Sequence, residues 1–219
     1  MNKNLVIIHT TPVTIELLKN IASELKIDCN IVNILDDSIL PEINSLGYIP
    51  EDVKYRFNNY LVNASTLKPD AILCACSSIG ELVELGKDLV KVPVLRIDEQ
   101  MTKIAVERGS KIGVAATLAS TLKPTINLIL NKSKELGKEI SIDKLLIEEV
   151  GNLLNKGKED QYDKIVSSKL IELLRNNDIV VLAQASMTRT IKLIPEELKD
   201  KFLISPYTGM EAVKRVLEE

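Results

Sequence analysis

Asp70-Ala-Ile-Leu-Cys-Ala-Cys76-Ser-Ser78 and Asp178-Ile-Val-Val-Leu-Ala-Gln184-Ala-Ser186 decide the fold. Each opens on an aspartate, runs through a short apolar stretch and ends in small hydroxyl-bearing residues. The two lie 108 positions apart (184 − 76). His9-Thr10-x-x-x-Thr14 aligns with Ala116-Thr117-x-x-x-Thr121 at a spacing of 107 (117 − 10). Val94-Leu95-Arg96-Ile97 aligns with Phe202-Leu203-Ile204-Ser205 at 108 (202 − 94). One such match is weak, but a shared offset at three junctions is the mark of a duplicated domain.

Working outward, short apolar runs alternate with longer amphipathic stretches. Strands are expected at Leu5–His9, Cys29–Ile34, Ala71–Cys74, Pro93–Ile97, Lys111–Ala115, Ile140–Ile147, Ile179–Leu182 and Phe202–Ile204. Several are apolar at consecutive positions, as in strands covered on both faces. Helices are expected over Thr14–Leu25, Glu51–Ser65 and Ser120–Glu135. Such β-α alternation builds parallel sheets with right-handed crossovers. The fold class is therefore α/β, with two similar parallel-sheet lobes related by pseudo-twofold symmetry. The lobes are expected to cover 1–97 plus 206–219, and 98–205.

Composition excludes several functions. Apolar residues make up 45 % and charged residues 27 % of 219 positions, ordinary for a globular chain. A net charge of -3 with scattered Lys and Arg gives no footprint for nucleic acid. No apolar run approaches the roughly 20 residues that cross a bilayer, and the five-residue run from Leu5 is short for a signal segment. Cytoplasmic residence, no membrane partner and no nucleic-acid partner are the expectations. Three cysteines and a single histidine supply neither a disulfide framework nor a zinc site. No phosphate-binding glycine loop is present, and no cofactor is expected.

Ligands of doubly wound sheets sit beyond the carboxyl ends of the strands. Those ends carry Thr10, Thr11, Cys76, Ser77, Ser78, Thr117, Gln184 and Ser186, and a crevice between two such halves would be lined by paired loops. Cys76 follows a strand, and Ser78 with Glu81 reads as a capping box starting the next helix. A cysteine just outside a helix N-terminus is placed where N–H groups favour its thiolate. Its alternative reading is a small buried hydrophobe. Gln184, the counterpart of Cys76, cannot transfer protons, but its amide can donate to a carboxylate or oxyanion, or satisfy backbone groups nearby. The hydroxyls could hold carboxylate oxygens or cap helices. His9 is the available second acid/base, because imidazole titrates near neutrality. Arg96 and Arg189 could pair with a carboxylate or form salt bridges. Cys74 reads as core and Cys29 as a strand residue.

These residues resemble the aspartate/glutamate/hydantoin racemase superfamily along the whole chain. Its strand-Cys-Asn-Thr motif reads Cys76-Ser77-Ser78 here, and its Gly-Cys-Thr or Gly-Cys-Ala motif reads Ala183-Gln184-Ala185-Ser186-Met187. Ile112-Gly113-Val114-Ala115-Ala116-Thr117, with Thr121 a turn further on, is similar to the superfamily's second-half opening. The resemblance implies two cysteines exchanging a proton on opposite faces of a substrate carbon without a cofactor. Here Gln184 replaces the second cysteine, and His9-Thr10-Thr11 replaces the Asp and Asn that often end the first strand in relatives. The expectation is a racemase- or isomerase-type enzyme acting at the α-carbon of a small carboxylate. Cys76 and His9 would be its acid/bases, and Thr10, Thr11, Ser77, Ser78, Thr117, Gln184 and Ser186 its binding residues. The alternatives are a single-cysteine decarboxylase of a malonate-like substrate and a catalytically silent small-carboxylate binder. A homodimer is compatible with the resemblance.

Overall fold

The computed structural model describes residues 3–219. The chain divides into two compact units, one running to Gln100 and resuming over Pro206–Glu219, the other being Met101–Ser205. The division falls three residues later than the expected break after 97.

The first unit contains β1 (Lys3–His9), α1 (Val13–Glu24), β2 (Cys29–Leu35), α2 (Ile39–Leu46), α3 (Glu51–Thr66), β3 (Ala71–Cys74), α4 (Gly80–Gly86) and β4 (Val94–Arg96). A helix that crosses the division, α5 (Glu99–Arg108), leads into the second unit. There follow β5 (Lys111–Ala116), α6 (Ala119–Glu135), β6 (Ser141–Leu146), α7 (Glu159–Leu174), β7 (Ile179–Leu182) and β8 (Phe202–Ile204). Then α8 (Ser205–Glu218) belongs to the first unit.

Each unit has one four-stranded parallel sheet, ordered β2-β1-β3-β4 in the first and β6-β5-β7-β8 in the second. The duplication extends to single hydrogen bonds. Ala75 N–H donates to Ile8 O and Ala183 N–H to Ala115 O, each at 2.9 Å. The aspartates opening the repeated motif do the same work in both units. Asp70 accepts from the N–H of Asn4, and Asp178 from the N–H groups of Ser110 and Lys111, each tying the third strand to the start of the first.

Consecutive apolar residues in the central strands serve two faces. Val6, Ile8, Ile72 and Cys74 pack with Ile39, Val53, Phe57 and Leu61, whereas Leu5, Ile7, Ala71 and Leu73 pack with Leu18, Ile21, Met210 and Val213. In the second unit Ile112, Val114 and Val181 face Met101, Ala105 and Ile129, and Val180 and Leu182 face Tyr162, Val166 and Leu170. The edge strands β2 and β6 depart from this pattern with several exposed positions, whereas the opposite edges β4 and β8 have none.

Two close approaches fix helices in the first unit. A Cβ on Gly209 would lie 2.6 Å from the carbonyl oxygen of Ile97, so only glycine lets α8 pack against the end of β4. A Cβ on Gly80 would collide with the guanidinium of Arg96. That guanidinium is itself held by Asp98, Nε to Oδ1 and NH2 to Oδ2 both at 3.0 Å, in a pair almost wholly removed from solvent. A buried pair is costly to break because one charge is left unmatched. Asp98→Asn is expected to lower unfolding free energy by about 3–5 kcal/mol, whereas an Arg96→Met, Asp98→Leu double variant should lose less. Urea denaturation of the three proteins checks this, and an additive double variant would refute a coupled pair.

Candidate active site

At the end of each third strand the backbone makes the same turn. Cys76 (φ -141°, ψ 113°) and Gln184 (φ -132°, ψ 137°) are extended and act as N-caps of 3-10 segments, Ser77–Ile79 and Ala185–Leu193. Ser78, expected to begin the helix with a capping box, instead lies inside the first 3-10 turn, and α4 starts at Gly80. The reason is steric and local: Cys76 is still extended, so the chain turns at Ser77. The nine-residue 3-10 stretch in the second unit is long for a conformation whose runs are usually of three or four residues.

Cys76 is 8 % exposed, while Cys74 two residues earlier is fully buried and donates through Sγ to the Cys76 carbonyl at 3.7 Å. Burial pushes the Cys76 thiol above its ordinary value. Against this, the Thr10 hydroxyl and the N–H groups of Ile79 and Ser78 favour the thiolate, and the Asp98 carboxylate opposes it. The expected helix-end stabilisation is therefore present, but desolvation outweighs it, and the resting group is a neutral thiol. Thr10 Oγ1 is buried and completes no hydrogen bond among the described residues. Ser77 and Ser78, next to Cys76 in sequence, are buried, and Thr11 is half-buried, its carbonyl accepting from Thr14 Oγ1 at 3.0 Å.

His9 is fully buried. Its Nε2 lies 2.9 Å from Asn33 Oδ1, and its Nδ1 lies 2.7 Å from the Thr14 hydroxyl oxygen. Desolvation lowers its pKa, with Asn33 acting the other way. Both ring nitrogens are engaged by its own unit, which ties the end of β1 to α1 and β2.

In the second unit, Gln184 Oε1 accepts from Thr117 N–H, from Thr117 Oγ1 at 3.1 Å and from Leu118 N–H at 3.1 Å. Backbone N–H groups only donate, so the amide oxygen is fixed on that side and the NH2 group is the end left for other acceptors. Tyr162, on the first turn of α7, brings its hydroxyl to Ser186 and Thr117. Nothing in the repeat pointed to Tyr162, because it lies on a helix outside the matched junctions.

The arginines are engaged. Arg96 is held by Asp98 as described, and Arg189 pairs with Asp163 (2.7 Å) and Glu159 (2.6 Å), with Lys192 also on Asp163 at 2.9 Å. Among the described residues no three His, Cys, Asp or Glu side chains group to hold a metal, and no helix is long and apolar enough to cross a membrane.

Two four-stranded parallel sheets with flanking helices, each presenting a polar turn after its third strand, define the α/β racemase-type fold. The chain belongs to the Asp/Glu/hydantoin racemase family, whose model matches residues 51–212. It is similar to allantoin racemase from Klebsiella pneumoniae, with a TM-score of 0.72 at 15 % identity over 99 % of this chain and 88 % of that one. Glutamate racemase from Aquifex pyrophilus gives 0.65 at 19 % identity over 97 % and 83 %. Picrophilus torridus aspartate racemase gives 0.63 at 17 % over 98 % and 94 %. No curated protein sequence matches the chain. Family membership supports a racemase-type isomerase in general terms.

Two outcomes test this geometry. Alkylation of Cys76 by iodoacetamide, followed by mass spectrometry, should keep accelerating above pH ~8.5, the ordinary thiol value; a plateau below that would refute the raised pKa. For His9, the unfolded ring protonates near pH ~6.5 and the folded ring only below that, so the unfolded state binds more protons in between. Stability should thus fall as pH drops from about 7.5 to about 5.5, and fall less in His9→Gln. Equal losses by urea denaturation would show that His9 carries no such linkage.

Proposed function

We propose that this chain is a cofactor-independent enzyme that moves a proton at the α-carbon of a small carboxylate or amino-acid derivative, with Cys76 as the acid/base. The observation that carries the reading is the pairing of equivalent turns: a titratable sulfur stands at the N-cap of one, and an amide that cannot titrate at the N-cap of the other. Thr10, with its unpartnered buried hydroxyl, and Ser77 and Ser78, which follow Cys76, supply polar groups for substrate oxygens in the first unit. Ser186 and the NH2 end of Gln184, whose oxygen Thr117 holds, form a donor set in the second unit suited to carboxylate oxygens.

Inversion by the two-thiol route needs a titrating group on each face of the carbon. Gln184 supplies none, so the reading is proton transfer from one face. The neutral resting thiol favours a second reading, decarboxylation of a malonate-like substrate, in which Cys76 delivers a single proton to the enediolate left after carbon dioxide departs.

Incubation in heavy water with amino acids, hydroxy acids and hydantoins should place deuterium at the α-carbon, read by mass spectrometry and chiral chromatography. Retained configuration supports one-face transfer, inversion supports a full racemase, and carbon dioxide from malonates supports the lyase. Cys76→Ser should cut turnover by about 100-fold or more, as loss of a proton-transfer group does. Undiminished turnover would remove Cys76 from the mechanism, and saturable binding without turnover would mark a silent binder.

A further inference from the structure

Tyr162 stands out in the second unit for what it lacks. Its side chain is 1 % exposed and packs with Leu182, Val166 and Met187, yet its hydroxyl is buried and completes no hydrogen bond among the described residues. A buried phenol normally finds a partner, because leaving it unmade costs its full desolvation. The hydroxyl is not stranded among apolar atoms. It is turned to the Thr117 and Ser186 side chains, which belong to the turns after β5 and β7. Thr117 commits its hydroxyl proton to Gln184 Oε1, so it does not donate to the phenol. Gln184, its oxygen fixed by three donors, turns its NH2 end away from them.

The phenol is also held in place. Asp163, the next residue on α7, receives Arg189 at 2.7 Å and Lys192 at 2.9 Å, both from the 3-10 stretch that Gln184 caps. The ion pairs tie the start of α7 to that stretch. Burial raises the Tyr162 pKa, with Ser186 and Thr117 acting the other way, so the group is a neutral donor.

We infer that Tyr162 is a substrate-binding residue, its phenolic O–H donating to a carboxylate oxygen of the ligand beside Ser186 and the Gln184 amide. This rests on the small-carboxylate reading above and deepens it, since it adds a buried donor that comes from a helix rather than from a strand end. No bond is made or broken by the phenol; it orients the anion.

Malonate serves as the probe, because it offers carboxylates without an α-amino group. Wild type, Tyr162→Phe and Cys76→Ser would be compared by calorimetric titration with malonate and by thermal melting without it. The expected result is saturable binding by wild type and by Cys76→Ser, and affinity about tenfold or more weaker in Tyr162→Phe, the size of one lost charge-assisted hydrogen bond. Ligand-free Tyr162→Phe should melt at the same temperature or higher, since only an unpartnered oxygen is removed. A lower melting temperature would assign the hydroxyl a structural partner and overturn the inference. So would equal malonate affinity in Tyr162→Phe, or no malonate binding by wild type. Failure of the proton-transfer reading is separate: it would appear as absent deuterium exchange while the malonate result stands.

Discussion

Backbone N–H groups just past the carboxyl ends of parallel strands have left the hydrogen-bond ladder, and the polar turns of this protein are arranged around them. In the second unit the N–H groups of Thr117 and Leu118 are met by the Gln184 side chain, which reaches across from the neighbouring strand end. In the first unit the equivalent position holds Cys76, and its sulfur faces the N–H groups of Ser78 and Ile79 with the Thr10 hydroxyl beside it. Equivalent strand ends therefore meet different donors: Gln184 takes the N–H groups of the turn after β5, and Cys76 those of its own turn.

That arrangement sets desolvation against hydrogen bonding at Cys76, and desolvation wins in the resting chain. A neutral thiol is protected from oxidants and metals, which attack the thiolate. A ligand carboxylate could not by its own charge ionise this sulfur, since like charges raise the pKa further. The buried Arg96–Asp98 pair belongs to the same balance. Its guanidinium packs where a Cβ on Gly80 would be, and so holds the start of α4 close behind the turn that carries the sulfur.

Much of the fold was legible because strand ends and buried faces are local properties. The bounds of β3, β7 and β8 follow from apolar runs flanked by aspartate, proline or hydroxyl residues, and the common offset revealed two sheets of one topology. The site was legible in part. The repeat singled out Cys76 and Gln184, which lie on equivalent turns, while the start of the helix was misplaced at Ser78, which lies in a 3-10 turn ahead of Gly80. His9 was singled out because its type is reactive; that Asn33 and Thr14, from two other elements, engage its nitrogens was not legible. Tyr162 was invisible, since a phenol in an amphipathic helix reads as core until its hydroxyl is seen to lack a partner.

The segment 206–219 returns to the first unit after the whole of the second has been traced. Met210, Val213 and Leu217 complete one face of the first sheet, packing with Leu5, Ile7 and Leu18. A chain emerging residue by residue can thus close its second sheet while the first still shows an uncovered apolar face. Vectorial synthesis, which usually lets the earlier domain mature first, is here inverted: the sulfur-bearing half waits for its final helix, and the inserted half finishes ahead of its host.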